Sequence, residues 1–470
     1  MVAIAGLGMG LWHGVYKPLP TGVSVAMPSR PTPQIRFLAD ETYLDESGER
    51  QVEQRILDRM FDHIARAERL VVADLFLFNH FAGDPDGDDM RPLSRELTQV
   101  LIERKRERPD LRVILITDPI NTFYGSFRLP QIERLREAGI DVVVSDLKPL
   151  RDSNPAWSGL WRLCCAWLGN NADGGWLPNP VGDEPVTLRG LLALPNFKAN
   201  HRKTLVADTP AGWVGVVTSA NPHDASSAHS NIALEFHGPA VLDLLETERA
   251  VAAFSAPQLD WPQRPQLPPA PASPDAASLQ IITEAAIRDT LLDALARTGP
   301  GDEIVLAMFY LSHREVIEAL LAAHARGARV RALLDPNHDA FGREKNGIPN
   351  RPVAAELVAQ GIDVRWCQTT GEQCHDKLLL IRRADGRAEL IAGSANFTRR
   401  NLDDLNLETN LRVLTAVGDP LVIDVERWFE RRWVNAGDRV YSLDYATWAD
   451  RGRFKAWLYR VMEASGLSTF

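Results

Sequence analysis

The sequence predicts an α/β chain built as two α/β/α sandwich domains related by a pseudo-twofold axis. Three observations predict it. The order of apolar runs and amphipathic helices in the first half recurs in the second. A proline-dense stretch separates the halves. The length, 470 residues, suits two or three domains that each bury a core.

In the first half, Ile56, Met60 and Ile64 recur at helical spacing. The apolar run LVVADLFLF follows at 70–78, then a charged helical stretch at 94–106, the strand-like LRVILITDP at 111–119 and LREAGIDVVV at 135–144. In the second half, Ile287, Leu291 and Leu295 take the first role and IVLAMFYL at 304–311 the second. A helix around 314–326, ARVRALLDP at 328–336 and LVAQGIDVRW at 357–366 complete the match. Short apolar, β-branched runs between amphipathic helices indicate buried parallel strands with crossover helices. Seven prolines between Pro257 and Pro274 remove amide donors and stiffen the chain, which marks a linker.

The resulting division is an N-terminal segment at 1–35, a first domain at 36–255, a linker at 256–278 and a second domain at 279–470. The apolar start Met1–Trp12 reads as the remnant of a membrane anchor or as a surface-packed end. It is too short to cross a membrane and lacks a signal-peptide pattern. One half carries an insertion: 83 residues separate Asp118 from His201, but only 40 separate Asp335 from His375. The added segment, at about 150–190, includes Trp157, Trp161, Leu163, Trp167 and Leu168.

Composition narrows the function. A net charge of −10 and a pI near 5.6 argue against broad nucleic-acid binding, and no nucleic-acid partner is expected. Charged residues at 24% and a mean hydropathy of −0.18 are those of an ordinary globular chain. The cysteines are Cys164, Cys165, Cys367 and Cys374. They lack zinc-ligand spacing, and the adjacent pair is not expected to bond, so neither a metal site nor a disulfide scaffold is expected.

The chemistry sits in the repeated tail. His201 and Lys203 form one His-x-Lys, His375 and Lys377 another. Each is trailed by Ser-Ala-Asn: Ser219 and Asn221 in the first half, Ser394 and Asn396 in the second. A single His-x-Lys arises often by chance; two at equal places in a duplicated unit do not. Residues i and i+2 of a strand face one side, so each histidine points with its lysine. Pseudo-twofold pairing then brings both pairs to one cleft. There the lysines and asparagines can hold a phosphate's oxygens, while one imidazole attacks phosphorus and the other protonates the leaving oxygen. His223 and His229 flank Asn221, either lining the pocket or bonded within their own turn. Asp118 and Asp335 end equivalent strands, where a role in orienting a histidine competes with turn capping.

This constellation resembles the phospholipase D superfamily, whose signature is H-x-K-x4-D followed by G-S/T-x-N. The first copy matches through Asp208. The second has a clean Gly393-Ser394-Ala395-Asn396 but carries Arg382 at the acid's place, with Asp385 three residues on as a substitute. Asn406 and Glu408 match the family's trailing N-x-E, and Asn231 is a looser counterpart in the first half. The resemblance covers about residues 50–430. It implies a phospholipase D-like fold, no metal or organic cofactor, and one active site formed within a monomer. It also implies a phosphohistidine intermediate, with His201 as the nucleophile and His375 as the acid, the reverse assignment being the alternative.

Three features favour a phospholipid substrate and a peripheral membrane location: the tryptophan-rich insertion, the apolar N-terminus, and the basic amphipathic stretch RGRFKAWLYRVM at 451–462. The sequence also resembles the bacterial phosphatidylserine, phosphatidylglycerophosphate and cardiolipin synthase branch of the superfamily, which transfers a phosphatidyl group to an alcohol. Phospholipases transfer it to water. The competing readings are a nuclease with the same catalytic set and a non-catalytic lipid- or phosphate-binding scaffold.

Overall fold

The computed structural model of the chain describes residues 2–81, 90–265, 277–340, 343–468 and 470. Residues 266–276 of the expected linker lie outside the described residues. The strands of the first half, with the short edge strand that precedes them, are β1 (Arg30–Pro31), β2 (Ile35–Leu44), β3 (Arg50–Glu53), β4 (Leu70–Leu75), β5 (Arg112–Thr117), β6 (Asp141–Val144), β7 (Lys203–Thr209), β8 (Gly212–Thr218) and β9 (Asn231–His237). The second half contributes β10 (Ser278–Thr283), β11 (Glu303–Met308), β12 (Arg329–Leu334), a small hairpin of β13 (Asp339–Ala340) and β14 (Arg343–Glu344), β15 (Asp363–Cys367), β16 (Lys377–Arg382), β17 (Arg387–Gly393), β18 (Thr409–Ala416) and β19 (Ser442–Asp444).

Two large sheets result, ordered β3-β2-β9-β8-β7-β4-β5-β6 and β1-β10-β18-β17-β16-β11-β12-β15-β19. Their centres match strand for strand, which is the expected duplicated α/β architecture. The sheets are mixed rather than wholly parallel. β4, β5 and β6 run parallel, as do β11, β12 and β15. The strands that open with the motif lysines, β7 and β16, run antiparallel to both neighbours. Each turns directly into the next strand of its sheet, so a hairpin replaces the crossover helix that parallel strands require.

Helices cover the sheets in layers. Outside the first sheet lie α2 (Ile56–Arg66), α3 (Leu93–Glu107) and α4 (Pro130–Glu137); outside the second lie α8 (Ala285–Ala296), α9 (Arg314–Ala325) and α10 (Asn350–Ala359). Between the sheets run α7 (Ala240–Ser255) and α12 (Pro420–Val434). They share one apolar core with residues from both sheets, among them Val72, Ile232, Leu380 and Leu411. The N-terminal segment does not stay with the first half, since β1 extends the second sheet by pairing with β10.

The acid of the motif differs between the copies in an instructive way. Asp208 Oδ1 accepts from the backbone N–H groups of Arg69 (2.8 Å) and Leu70 (2.7 Å), which pins the start of β4. In the second half the acid has moved to the neighbouring strand. Asp302, just before β11, accepts from Ala384 N–H at 2.9 Å and so holds the turn after β16. Arg382 bonds Glu303 at 3.0 Å, a pair with the charges reversed relative to Arg69–Asp208. Asp385 does not take over the role, because it is exposed and pairs only with its neighbour Arg387.

The cysteines also depart from expectation, since both pairs are bonded, Cys164 to Cys165 and Cys367 to Cys374. Cys164 ends α5 (Pro155–Cys164) and Cys165 leaves the helix at φ −138°, which lets adjacent sulfurs meet. The end of β15 and the loop leading to His375 bring the Cα atoms of Cys367 and Cys374 to 6.2 Å, within disulfide reach.

The N-terminal helix α1 (Val2–Leu11) packs on α5 through glycines. A methyl group added at Gly159 would meet the Gly6 carbonyl oxygen at 2.1 Å, and one at Gly10 the Pro155 carbonyl oxygen at 2.4 Å. Only glycine permits this approach. Gly159→Ala is therefore expected to push α1 off α5 at a local cost of about 1–3 kcal/mol. The measurement is amide exchange, expected to quicken over residues 2–11 while the melting of the two-sheet core stays unchanged.

Candidate active site

Both His-x-Lys motifs open on one cavity of about 330 Å³, lined by His201, His375, Asn221 and Asn396 among others. Each histidine is fixed by the opposite half of the chain. His201 N–H donates to Leu407 O at 2.9 Å, and His375 N–H donates to Ser230 O at 2.8 Å. Leu407 and Ser230 precede the residues that hold the rings. His201 Nδ1 lies 2.8 Å from the Glu408 carboxylate, and His375 Nδ1 lies 3.1 Å from Asn231 Oδ1. An acceptor at Nδ1 fixes the proton there and leaves the Nε2 lone pair for chemistry.

The residue before each histidine is tied down as well. Asp118 Oδ2 accepts from Asn200 N–H at 2.7 Å, and Asp335 Oδ2 accepts from Cys374 N–H at 2.8 Å. The other oxygen of each aspartate caps its own turn, at Ile120 and Asn337. The two roles weighed for these aspartates therefore coexist. Burial raises both carboxyls to about 7.

Lys203 and Lys377 sit beneath the histidines, wholly buried. Lys203 Nζ donates to His201 O at 2.7 Å, and Lys377 Nζ to His375 O at 2.9 Å. Burial lowers Lys203 to about 7, and burial with the neighbouring Lys203 ammonium pushes Lys377 well below its ordinary value. Ser219 and Ser394 differ from expectation. Instead of facing a phosphate, their hydroxyls bond the histidines' partners, Ser219 to Asn231 at 3.1 Å and Ser394 to Glu408. Asn221 Oδ1 accepts from Leu77 N–H at 3.3 Å; Asn396 Oδ1 is buried with no hydrogen-bond partner. Asn406 lines the cavity and accepts from Ala199 N–H at 3.0 Å. Asp208 lies away from the cavity at the start of β4, as described above.

His229 reaches the cavity wall, its ring 6.0 Å from that of His375, whereas His223 bonds Ser226 within its own loop and Phe81 O. Two residues were missed from sequence. Phe76 packs its ring 4.7 Å from His201, and Phe309 packs its ring 4.9 Å from His375. Each also lies beside its lysine ammonium, at 4.9 Å and 5.3 Å. The signal was present, because both follow matched strands in ADLF and LAMF. Among the described residues one group of potential metal ligands gathers, Cys367, Cys374 and Asp376. The Arg432 guanidinium donates into it, to Cys374 Sγ at 3.0 Å and to Asp376, and takes the place of a cation.

Two duplicated α/β/α sandwiches with a His–Lys pair from each beside a shared cavity define a phospholipase D-like fold. Residues 291–433 match the family model described as cardiolipin synthase, PLD-like domain. Among solved structures it is similar to phosphatidylserine synthase from Haemophilus influenzae Rd KW20. The TM-score is 0.56 with 12% identity over 99% of this chain and 98% of that one, a likeness of fold. Polyphosphate kinase from Porphyromonas gingivalis matches with a TM-score of 0.44 and 14% identity, over 93% of this chain and 54% of that one. Nuc, a phospholipase D family member from Salmonella typhimurium, matches at 0.29 and 21% identity, over 36% of this chain and 98% of that one. No argument rests on these last two. No curated protein matches the chain in sequence.

Burial lowers His201 to about 4 from an ordinary 6.5, against the opposing pull of Glu408. Between those values the folded chain binds fewer protons at this ring than the unfolded chain. The contribution is complete above pH 6.5 and is lost as pH falls to 4. His201→Gln is expected to flatten the pH dependence of unfolding free energy in that window by up to about one proton, roughly 1.4 kcal/mol per pH unit. Urea titrations at pH 4, 5 and 6.5 measure it.

Proposed function

We propose that the chain is a phosphodiesterase or phosphatidyltransferase acting on phospholipids through a covalent phosphohistidine. The observation that carries the reading is the crossed pairing of the two rings in one cavity, His201 with Glu408 and His375 with Asn231. His201 Nε2 attacks phosphorus, forming the P–N bond as the P–O bond to the leaving group breaks. His375 gives its proton to the departing oxygen. Water or an alcohol then attacks phosphorus, loses its proton to His375 and releases His201.

The asymmetry of the partners supports this division of roles. The Glu408 carboxylate compensates the positive charge that His201 gains on attack. Asn231 offers His375 no charge, so its proton leaves readily. Burial, with Lys377, His229 and Lys203 around it, keeps the resting His375 pKa well below the ordinary value. A phosphodiester anion arriving in the cavity offsets those cations and lets His375 carry the proton the acid role needs.

The surface favours a lipid. α1 and α5 carry outward Ile4, Leu7, Leu160 and Leu163, with Trp12 just past α1 also exposed and Trp167 and Trp176 each 71% exposed. The segment after α6 (Leu188–Ala193) runs from this platform into the cavity wall at Leu194 and Phe197. After the short turn α11 (Arg399–Leu402), the C-terminal helix α13 (Arg453–Ser465) exposes Phe454 and Trp457 among basic residues. Aromatic and apolar side chains beside lysine and arginine suit the headgroup region of a bilayer, consistent with peripheral membrane association. No helix among the described residues is long and apolar enough to cross a membrane.

Purified protein with phosphatidylglycerol and phosphatidylcholine vesicles in EDTA is expected to yield phosphatidic acid or cardiolipin, resolved by mass spectrometry. His201→Ala is expected to lower turnover at least about a thousandfold while staying folded. Intact lipid beside cleaved single-stranded DNA assigns the nuclease reading, and full activity in His201→Ala overturns the mechanism.

A further inference from the structure

The cavity holds more positive charge than its motif lysines supply. Lys198 lines it, whereas Lys203 and Lys377 lie beneath the wall, but Asp152 neutralises the Lys198 ammonium at 2.9 Å. Arg400 and Lys345 differ. Among the described residues no carboxylate lies within 4 Å of either. Arg400 Nη2 donates only to Ser468, and its Nε is shielded from solvent without a hydrogen-bond partner. The guanidinium lies 5.0 Å from the centre of the Phe197 ring. Lys345, on the strap after β14, lays Nζ 5.1 Å from the centre of the Tyr310 ring and donates to its hydroxyl. A shielded charged donor left unsatisfied is costly, so such groups mark where a ligand supplies the acceptor.

Lys345 stands on one side of Tyr310, and Arg400 reaches the same residue from beside Phe197. The Tyr310 ring lies 3.9 Å from Phe309, and Phe309 lies 4.9 Å from His375. The arrangement has no counterpart in the first half. Arg400 stands four residues beyond Asn396, whereas Ala225 stands four beyond Asn221. The cavity therefore repeats its two imidazoles but not the charge around them.

We propose that Arg400 and Lys345 form a second oxyanion subsite on the His375 side, which binds an additional phosphate or carboxylate carried by the substrate. The proposal rests on the phosphodiester reading of the site and narrows it to substrates with two anionic groups, the second lying toward the leaving group. The Arg400 guanidinium suits a forked contact to either oxyanion, and Lys345 adds a point charge. Burial lowers Arg400 only to about 10, so it stays charged at neutral pH.

The test is a binding measurement that needs no turnover. Calorimetric titration of the full chain compares orthophosphate with pyrophosphate and with O-phosphoserine. At least one two-anion probe is expected to bind about tenfold more tightly than orthophosphate; pyrophosphate assigns a phosphate, phosphoserine a carboxylate. Arg400→Ala and Lys345→Ala are each expected to remove most of that excess and to change orthophosphate affinity less than twofold. Lys345 lies on a surface strap, so its variant keeps the test decisive if Arg400→Ala fails to fold. Equal affinity for all three probes in the unaltered protein, or an excess that survives both substitutions, overturns the subsite. Absence of lipid turnover alongside a retained excess rejects the proposed function and leaves the subsite standing.

Discussion

Everything at the cavity depends on a reciprocal clasp between the two halves. Each catalytic-type histidine hangs by its backbone N–H from the opposite half, and each ring bonds the residue immediately past that anchor. Two short parallel bridges, Asn200 with Leu407 and Ser230 with Cys374, set this register. A half alone has a histidine without a partner at Nδ1 and a Glu408 or Asn231 without a ring. The apolar core shared between the sheets is therefore more than a source of stability. It holds the halves at the spacing where two independently built motifs share one cavity.

The clasp is reinforced by buried charge, and the two copies solve the same problem with opposite signs. The middle residue of the first motif, Arg202, is fully buried and donates to Glu284 of the second half at 2.8 Å. Glu284 also accepts from Glu408 N–H at 3.0 Å, so one carboxylate joins the first motif to the partner of its histidine. In the second motif the middle residue is Asp376, which Arg432 neutralises from within its own half. Removing one member of such a buried pair leaves an uncompensated charge, which typically costs more than the pair itself contributes. The cost falls on Arg202 with Glu284 and on Asp376 with Arg432, whereas the sign-reversed pairs Arg69–Asp208 and Glu303–Arg382 reach solvent and tolerate exchange more easily.

That physics explains what could be read from the sequence. The duplicated strand and helix order is written in apolar periodicity, which packing enforces residue by residue. The His-x-Lys and Ser-Ala-Asn residues recur because both copies need the same local geometry. What recurs only as a sum of charges was not legible. Arg382 looked like the loss of an acid, although Asp302, just before the adjacent strand, keeps a comparable tie by holding the turn after β16. The serines were placed on the phosphate because Asn221 and Asn396, two residues on, line the cavity, yet the serine hydroxyls are taken by Asn231 and Glu408 from neighbouring strand segments. Arg400 carried no signal, because its missing acid partner shows only once Phe197 and Ser468 surround it. The disulfides escaped for a similar reason, since a spacing of seven residues says nothing of where β15 ends.

Symmetry in the fold and asymmetry in the site answer different demands. A transfer in two displacements needs two imidazoles on opposite faces of one phosphorus, which a pseudo-twofold supplies without further design. The same symmetry makes the imidazoles equivalent, and equivalent groups cannot be specialised as nucleophile and acid. Departures from symmetry break that tie. A carboxylate stands behind His201 and an amide behind His375, so an identical ring gains different proton affinities in a shared cavity. Arg400 and Lys345, neither with a carboxylate within 4 Å among the described residues, have no charged equivalent at the matching place in the first half, so on the proposed reading a substrate with two anionic groups meets unlike walls. The insertion and α1 enlarge the first half only, and the apolar platform they form leads into the cavity from one flank. On the proposed reading, orientation of a bound diester thus follows from the three places where the second copy stopped resembling the first.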